Sequence, residues 1–349
     1  MAKTASPIPE HLKFDRSLSV AELITRHQLR LSSGSAETKI THISPPARAA
    51  SGGLVALYDA GHIAHLPAGP CFICLTTAAL AEEVSSACPD SVVLVCDNPR
   101  RTYADILAAS FSEYEQTSAE SHDTAVIDPS SSVHRDAVIG PYAVIGPNCV
   151  VAAGVTIGAH TVLARDVHLG QGCVISEQCW LGWTVMGAHT RMAQTSVVGK
   201  RGFGFEGRGQ EACFIPHLGR VVIGEGCDIG AGVTIDRGVL DDTCLGAYVM
   251  IDNQVHIAHN VTIGDNTIIL AQTGIAGSTD IGANCVFGGQ VGIADHLSIC
   301  DGVTVASKSG ITKDIGEPGS YAGFPAEPAR RFWAKQAAVR RLLKASTTE

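Results

Sequence analysis

Three histidines stand in settings that raise a chemical question. His256 and His259 lie three residues apart in IDNQVHIAHN, and His296 lies in GIADHLSIC. A neutral imidazole can take a proton near pH 7, ligate a metal, or simply hydrogen-bond the backbone. The choice depends on what the isoleucines around these histidines build.

Branched aliphatic residues recur every six positions from Ile127 through Val133, Ile139, Ile145, Val151, Ile157, Leu163, Leu169, Ile175 and Leu181. The phase is lost from Gly199 to Arg220, returns at Ile223, Ile229 and Ile235, slips, and then runs unbroken from Leu245 to Ile311. A period of six fits neither a helix nor an alternating strand. It is the signature of a parallel β-helix in which each hexad supplies a short strand and a turn, with the aliphatic residue on the axis. Three hexads close one coil, and coils stack at roughly 4.8 Å. Residues 127–316 therefore build about ten coils, on the order of 50 Å of prism. Cys149, Cys173, Cys179, Cys227 and Cys285 each fall four residues after a hexad aliphatic, where they act as small fillers.

Coil arithmetic separates the histidines. One 18-residue coil beyond His259 is Gly277, in IAGSTD, so a glycine backbone N–H is expected one layer from the imidazole. A second coil plus one residue leads to His296, roughly 10 Å from His259 along the axis. That is too far to share a metal ion but near enough to share an extended substrate. A base beside an amide donor suits acyl transfer, because one group takes the nucleophile's proton and the other stabilises the oxyanion. His256 occupies the last slot of its hexad and is expected to be a turn residue pointing elsewhere.

The remaining chain divides around the prism. Residues 1–112 alternate helix-like stretches (SVAELITRHQL, ALAEEVSSA) with strand-like runs (GGLVALY, CFICLTT, DSVVLVC), which predicts a small α/β domain. Residues 113–126 read as a linker. The loop 199–220 interrupts the prism with glycines, three phenylalanines and a proline, and loops inserted in a solenoid usually line a working face. Residues 317–349 form an extension with a basic helix starting near Pro328. Its segment PARRFWAKQAAVRRLLK carries Arg330, Arg331, Lys335, Arg340, Arg341 and Lys344 and no acid.

The bulk composition narrows the function classes. A net charge of −9 argues against a nucleic-acid partner. No run of about 18 apolar residues exists and the N-terminus lacks an apolar signal region, so a cytoplasmic protein without a transmembrane segment is expected. The 12 cysteines are then reduced thiols, and the pair Cys71 and Cys74 reads as part of a buried strand.

The motifs TIDRGVLDDT (234–243), IDNQVHIAHNVTIGDN (251–266), IPHLGRVVIG (215–224), the RGFGF loop and the tail GFPAEPARRFW resemble the UDP-3-O-(3-hydroxyacyl)glucosamine N-acyltransferases of lipid A biosynthesis. The resemblance implies a mainly β fold: a left-handed parallel β-helix of hexapeptide repeats, preceded by the α/β domain and followed by the C-terminal α-helix, assembled as a homotrimer with sites between subunits. It implies transfer of a (3R)-3-hydroxyacyl chain from acyl carrier protein to the 2-amine of UDP-3-O-acylglucosamine. His259 matches the catalytic base and Gly277 the oxyanion glycine; His296, Asp252, Asn253, Lys313 and Gly310 match substrate contacts. No bound metal or cofactor is implied beyond the carrier's phosphopantetheine arm, and a cytoplasmic setting in a Gram-negative bacterium follows.

The first domain would hold uridine. The family's aromatic pair is replaced here by Ala56 and His62, with Tyr58 and Asp59 adjacent. Gly310, where other members carry larger residues, is expected to open a roomier groove for a longer chain. The basic helix, through Arg330, Arg331, Lys335, Arg340 and Arg341, is a candidate dock for the acidic carrier. The preceding O-acyltransferase of the pathway lacks an N-terminal domain of this size. A zinc carbonic anhydrase or a non-catalytic scaffold would be the reading from another class.

Overall fold

The computed structural model describes residues 12–111 and 121–346, and the chain forms two compact units that divide after residue 116. In the first unit, strands β1 (Lys13–Ser19), β2 (Arg30–Ser33), β3 (Lys39–Ile43), β4 (Gly53–Ala56), β5 (Ile73–Thr76) and β6 (Val92–Val95) form one sheet in the order β1-β3-β4-β5-β6-β2. Strands β3 to β6 are parallel, and β1 and β2 close the edges antiparallel. Alternate residues serve opposite faces. Leu54, Leu75 and Leu94 pack into one cluster, while Val55, Cys74 and Val93 pack into another. Burial on both sides explains why these strands read as continuous apolar runs. Helices α1 (Val20–His27), α2 (Ala78–Ala87) and α3 (Pro99–Ser110) complete the unit. Ser19 and Glu22 form a reciprocal capping box on α1, and Asn98 caps α3 ahead of Pro99.

Among the described residues the second unit is a prism of three sheets with ten, nine and eleven strands, most of them two residues long and all parallel except the final Glu327–Pro328 strand. Registers advance by one 18-residue coil, as in Val144 opposite Val162 and His256 opposite Gly274. Two interruptions stretch that spacing, where Val197 pairs with Thr234 and Thr234 with His256. The hexad aliphatics from Ile139 to Ile311 fill the axis as one continuous buried cluster. The thiols behave as fillers: Cys179 donates to the Ala193 carbonyl at 3.2 Å, and burial pushes its pKa up to about 11. Corners turn through residues held at positive φ, among them Asn148 at 59° and His160 at 58°.

The prism extends past both expected edges. Residues 113–120 of the expected linker lie outside the described residues, and by His122 the backbone already donates to Ile139 O at 2.8 Å. Beyond residue 316, Gly319–Ala322 still pairs in parallel with Val303–Val305 before the chain turns back through Glu327–Pro328. Helix α4 (Ala329–Ser346) follows. Among the described residues no helix is long and apolar enough to cross a membrane.

Candidate active site

One face of the prism carries a groove of about 880 Å³ that runs from Asp236 and Phe203 past His259 to Phe324. Its floor follows from register. In two-residue strands the aliphatic residue points to the axis and its predecessor points outward. The outward residues of successive rungs here are His256, Gly274, Gly292 and Gly310, above buried Ile257, Ile275, Ile293 and Ile311. A Cβ at Gly274 or Gly292 would meet nothing within 4 Å, so the floor at these rungs is bare backbone.

His259 stands at a corner of this groove. Its Nδ1 lies 3.1 Å from Asn260 Oδ1, which also accepts the Val239 N–H at 3.0 Å. A backbone N–H is an unambiguous donor, so the oxygen of Asn260 faces both groups and His259 Nδ1 must carry the proton. The lone pair is thereby left on Nε2, the state a general base needs. Gly277 lies against the ring as the coil arithmetic requires: a Cβ there would stand 2.8 Å from Cε1 and 2.9 Å from Nε2. The next rung follows through His296, whose N–H donates to Gly277 O at 3.1 Å, and His296 lines the same groove.

The two interruptions of the repeat build the walls around the imidazole. From the 199–220 loop come Phe203, which lines the groove, and His217, which packs edge-on against His259 with ring centroids 5.1 Å apart. His217 is only 4% exposed and donates from Nδ1 to Ile215 O at 3.0 Å. Burial lowers its pKa, as does the neighbouring His259 to a lesser degree, so it is an uncharged wall. The second interruption supplies buried Asp236, paired with Lys200, and the Val239 N–H already described. Arg237 fixes the loop's return by donating to the carbonyls of Gly219 and Leu218 while lying 4.0 Å from the Trp183 ring centroid. Sequence reasoning missed His217. The only signal was the break in phase that marked the loop as worth examining.

Other expected residues fall in several places. His256 is a strand residue rather than a turn residue. It points into the groove beside His259 and its Nδ1 lies 2.7 Å from Thr234 Oγ1. Within the single chain, Asp252 and Asn253 sit at a different corner. There Asn253 Oδ1 accepts Ala231 N–H at 2.8 Å, and Asp252 accepts from Asn253 and Ala271. Lys313 is exposed and continues the column His259, Gly277, Asp295. Gly310 does not open a roomier groove. The Phe324 ring covers it so closely that a Cβ would be 2.0 Å from Phe324 Cδ2.

In the first unit, Ala56, Tyr58 and His62 line a separate cavity of about 530 Å³ together with His65 and Tyr103. Arg100 lies 5.1 Å from the Tyr58 ring centroid, and burial pushes the Tyr103 hydroxyl up to about 12. Asp59 is exposed and caps a short turn, accepting Gly61 N–H at 2.7 Å. Just before α4, Glu327 engages Arg331 of the helix at 3.4 Å and Lys335 at 2.7 Å. Arg330, Arg340 and Arg341 are left without an acidic partner among the described residues. The side chain of Lys344 lies outside the described residues.

Three families of known proteins match parts of the prism. Residues 245–277 match the bacterial transferase hexapeptide (six repeats) family, 220–237 and 278–309 match the hexapeptide repeat of succinyl-transferase, and 121–202 match the GMPPB C-terminal domain. The hexapeptide-repeat matches agree with the fold described above, which is mainly β: a parallel β-helix preceded in sequence by an α/β unit and followed by a C-terminal helix.

Over 153 residues the chain is 47% identical to the UDP-3-O-acylglucosamine N-acyltransferase of Pseudoalteromonas translucida, spanning 44% of this chain and 45% of that one. The enzyme of the same name from Pseudomonas aeruginosa (strain LESB58) is 48% identical over the same length, 44% of this chain and 43% of that one. The match thus spans less than half the length of these curated relatives. Among solved structures, LpxA from Acinetobacter baumannii is 28% identical with a TM-score of 0.46, covering 59% of this chain and 72% of that one. The UDP-N-acetylglucosamine O-acyltransferase of Moraxella catarrhalis is 30% identical with a TM-score of 0.41, at the same coverages.

Proposed function

We propose that the groove transfers a (3R)-3-hydroxyacyl group from acyl carrier protein to the 2-amine of UDP-3-O-(3-hydroxyacyl)glucosamine, giving the UDP-2,3-diacylglucosamine of lipid A biosynthesis. The carrying observation is the contact between His259, with its lone pair on Nε2, and Gly277 at the rim of a groove floored by glycine. In this reading the amine attacks the thioester carbonyl and His259 Nε2 takes its proton. The Gly277 N–H stabilises the oxyanion. Collapse reforms the carbonyl as an amide and expels the phosphopantetheine thiolate, which recovers the proton from His259. Imidazole and backbone suffice for this, with no bound metal or cofactor. His296 would hold substrate one rung beyond the reacting atoms, and Lys313 the carrier's arm.

A homotrimer would complete the groove, with the Asp252 and Asn253 corner of a second copy contacting the glucosamine. The cavity at Tyr58, His62 and Tyr103, with Asp59 at its edge, would receive the uracil ring by stacking. Helix α4, through Arg330, Arg331, Lys335, Arg340 and Arg341, would steer the acidic carrier. The setting is the cytoplasm of a Gram-negative bacterium. The test is mass spectrometry of purified protein incubated with UDP-3-O-acylglucosamine and a series of hydroxyacyl carrier proteins. Appearance of the diacylated sugar nucleotide is the expected result, and an unmodified substrate with every carrier overturns the reading. Loss of salt dependence in the apparent carrier affinity after the α4 arginines are neutralised checks the steering.

A further inference from the structure

The floor of the groove is not uniform. Gly274 and Gly292 present bare backbone, whereas Gly310, the next outward residue in the same column, lies under the ring of Phe324. That ring is 82% exposed and comes from outside the repeat, on the turn that leaves the last strand of the prism. Three hydrogen bonds, two between backbone groups and one to a serine hydroxyl, strap the turn to the rung below it. Gly310 N–H donates to Gly323 O at 2.9 Å, Gly323 N–H to Ser309 Oγ at 3.0 Å, and Ala326 N–H to Gly310 O. Gly323 itself sits at φ 100°, and a Cβ there would stand 2.7 Å from Phe332 Cδ2 at the base of α4. An exposed aromatic side chain is therefore fixed over a glycine by backbone bonds on one side and by the helix on the other.

We infer that Phe324 is the residue that sets acyl-chain length, a stop across the glycine-floored groove. The inference rests on the acyl-transfer reading of the site. A chain entering past Gly277 can lie on the bare floor at Gly274 and Gly292 and meets the ring at Gly310, two rungs or about 10 Å along the axis. Two features make the stop separable from the wall it closes. Phe324 lies largely in solvent, so the fold does not depend on burying it, and Gly310 leaves room for the ring that no larger residue at 310 would.

The test measures kcat/KM across hydroxyacyl carrier proteins of increasing chain length for the intact protein and for Phe324→Ala. Removing the ring is expected to raise the preference for a chain two carbons longer by roughly tenfold, the effect of newly burying two methylenes. Phe324→Trp is expected to shift preference toward shorter chains. A second readout needs no turnover: Gly310→Ala should lower the melting temperature of the intact protein and be tolerated in the Phe324→Ala background. An unchanged length profile in an active Phe324→Ala protein overturns the stop alone. Absence of transfer by the intact protein with every carrier overturns the reading of the site, and the stop with it.

Discussion

The lower and upper rungs of one sheet share a backbone and an interior and differ in what they show to solvent. Along that sheet the outward residues begin as Val126, Val144, Val162, Trp180 and Val197 and continue as Thr234, His256, Gly274, Gly292 and Gly310. The inward residues stay aliphatic throughout, from Ile145 and Leu163 to Ile293 and Ile311. Scaffold and site are thus written in alternate positions of the same strands. The interior positions hold the coil together, and the exterior ones are free to become a groove.

The sharpest way to break this comparison is to remove the base. His259→Ala is expected to lower kcat by about 10²–10⁴ with an unchanged melting temperature. His168→Ala, an exposed histidine of the lower rungs, should leave the rate unchanged. Equal losses from both would mean that the upper rungs hold no special chemistry. Next comes Gly277→Ala, whose methyl would drive the His259 ring from its place. A displacement near 1 Å costs about 10² in rate, read as a fall in kcat with substrate affinity retained.

A smaller effect is expected from making an upper rung resemble a lower one. Gly292→Val places a side chain where nothing stands within 4 Å. Stability should stay within about 0.5 kcal/mol by urea titration. The same change fills the groove and should cut kcat/KM for long acyl substrates by roughly tenfold, the cost of excluding a pair of methylenes.

The mildest prediction concerns pH. His217 and His42 both have pKa values lowered by burial, so each binds protons more readily in the unfolded chain. Where the unfolded state binds more protons, stability rises with pH. Their contribution is complete above about pH 6.5, the unfolded value, and declines as pH falls from there toward the depressed folded values. Urea unfolding at pH 7.5 and 5.5 should show the loss, and His217→Gln should flatten it. An unaltered slope would mean that the wall beside His259 is not the buried neutral imidazole described.

Much of the site was legible because a β-helix is nearly one-dimensional. Adding 18 to His259 reached Gly277, and the stacked pair stands in contact. The same arithmetic brought His296 to the groove. It misplaces His256, because the last slot of a hexad is the outward member of a two-residue strand and not a turn. The expectation of an opening at Gly310 comes from the family resemblance, and neither that resemblance nor period six carries information about a ring supplied from beyond the repeat.

The sequence by itself determined the coil, its register, and the rung on which each hexad residue stands, because every interior aliphatic must reach the same axis and only one phase allows it. The tertiary structure alone decided the walls. His217 meets His259 through a loop, Val239 of the second interruption bonds the Asn260 oxygen that orients the imidazole, and Phe324 covers Gly310 from a returning tail. Those three segments obey no period. Their side chains are placed by close packing and hydrogen bonds formed only once the prism exists.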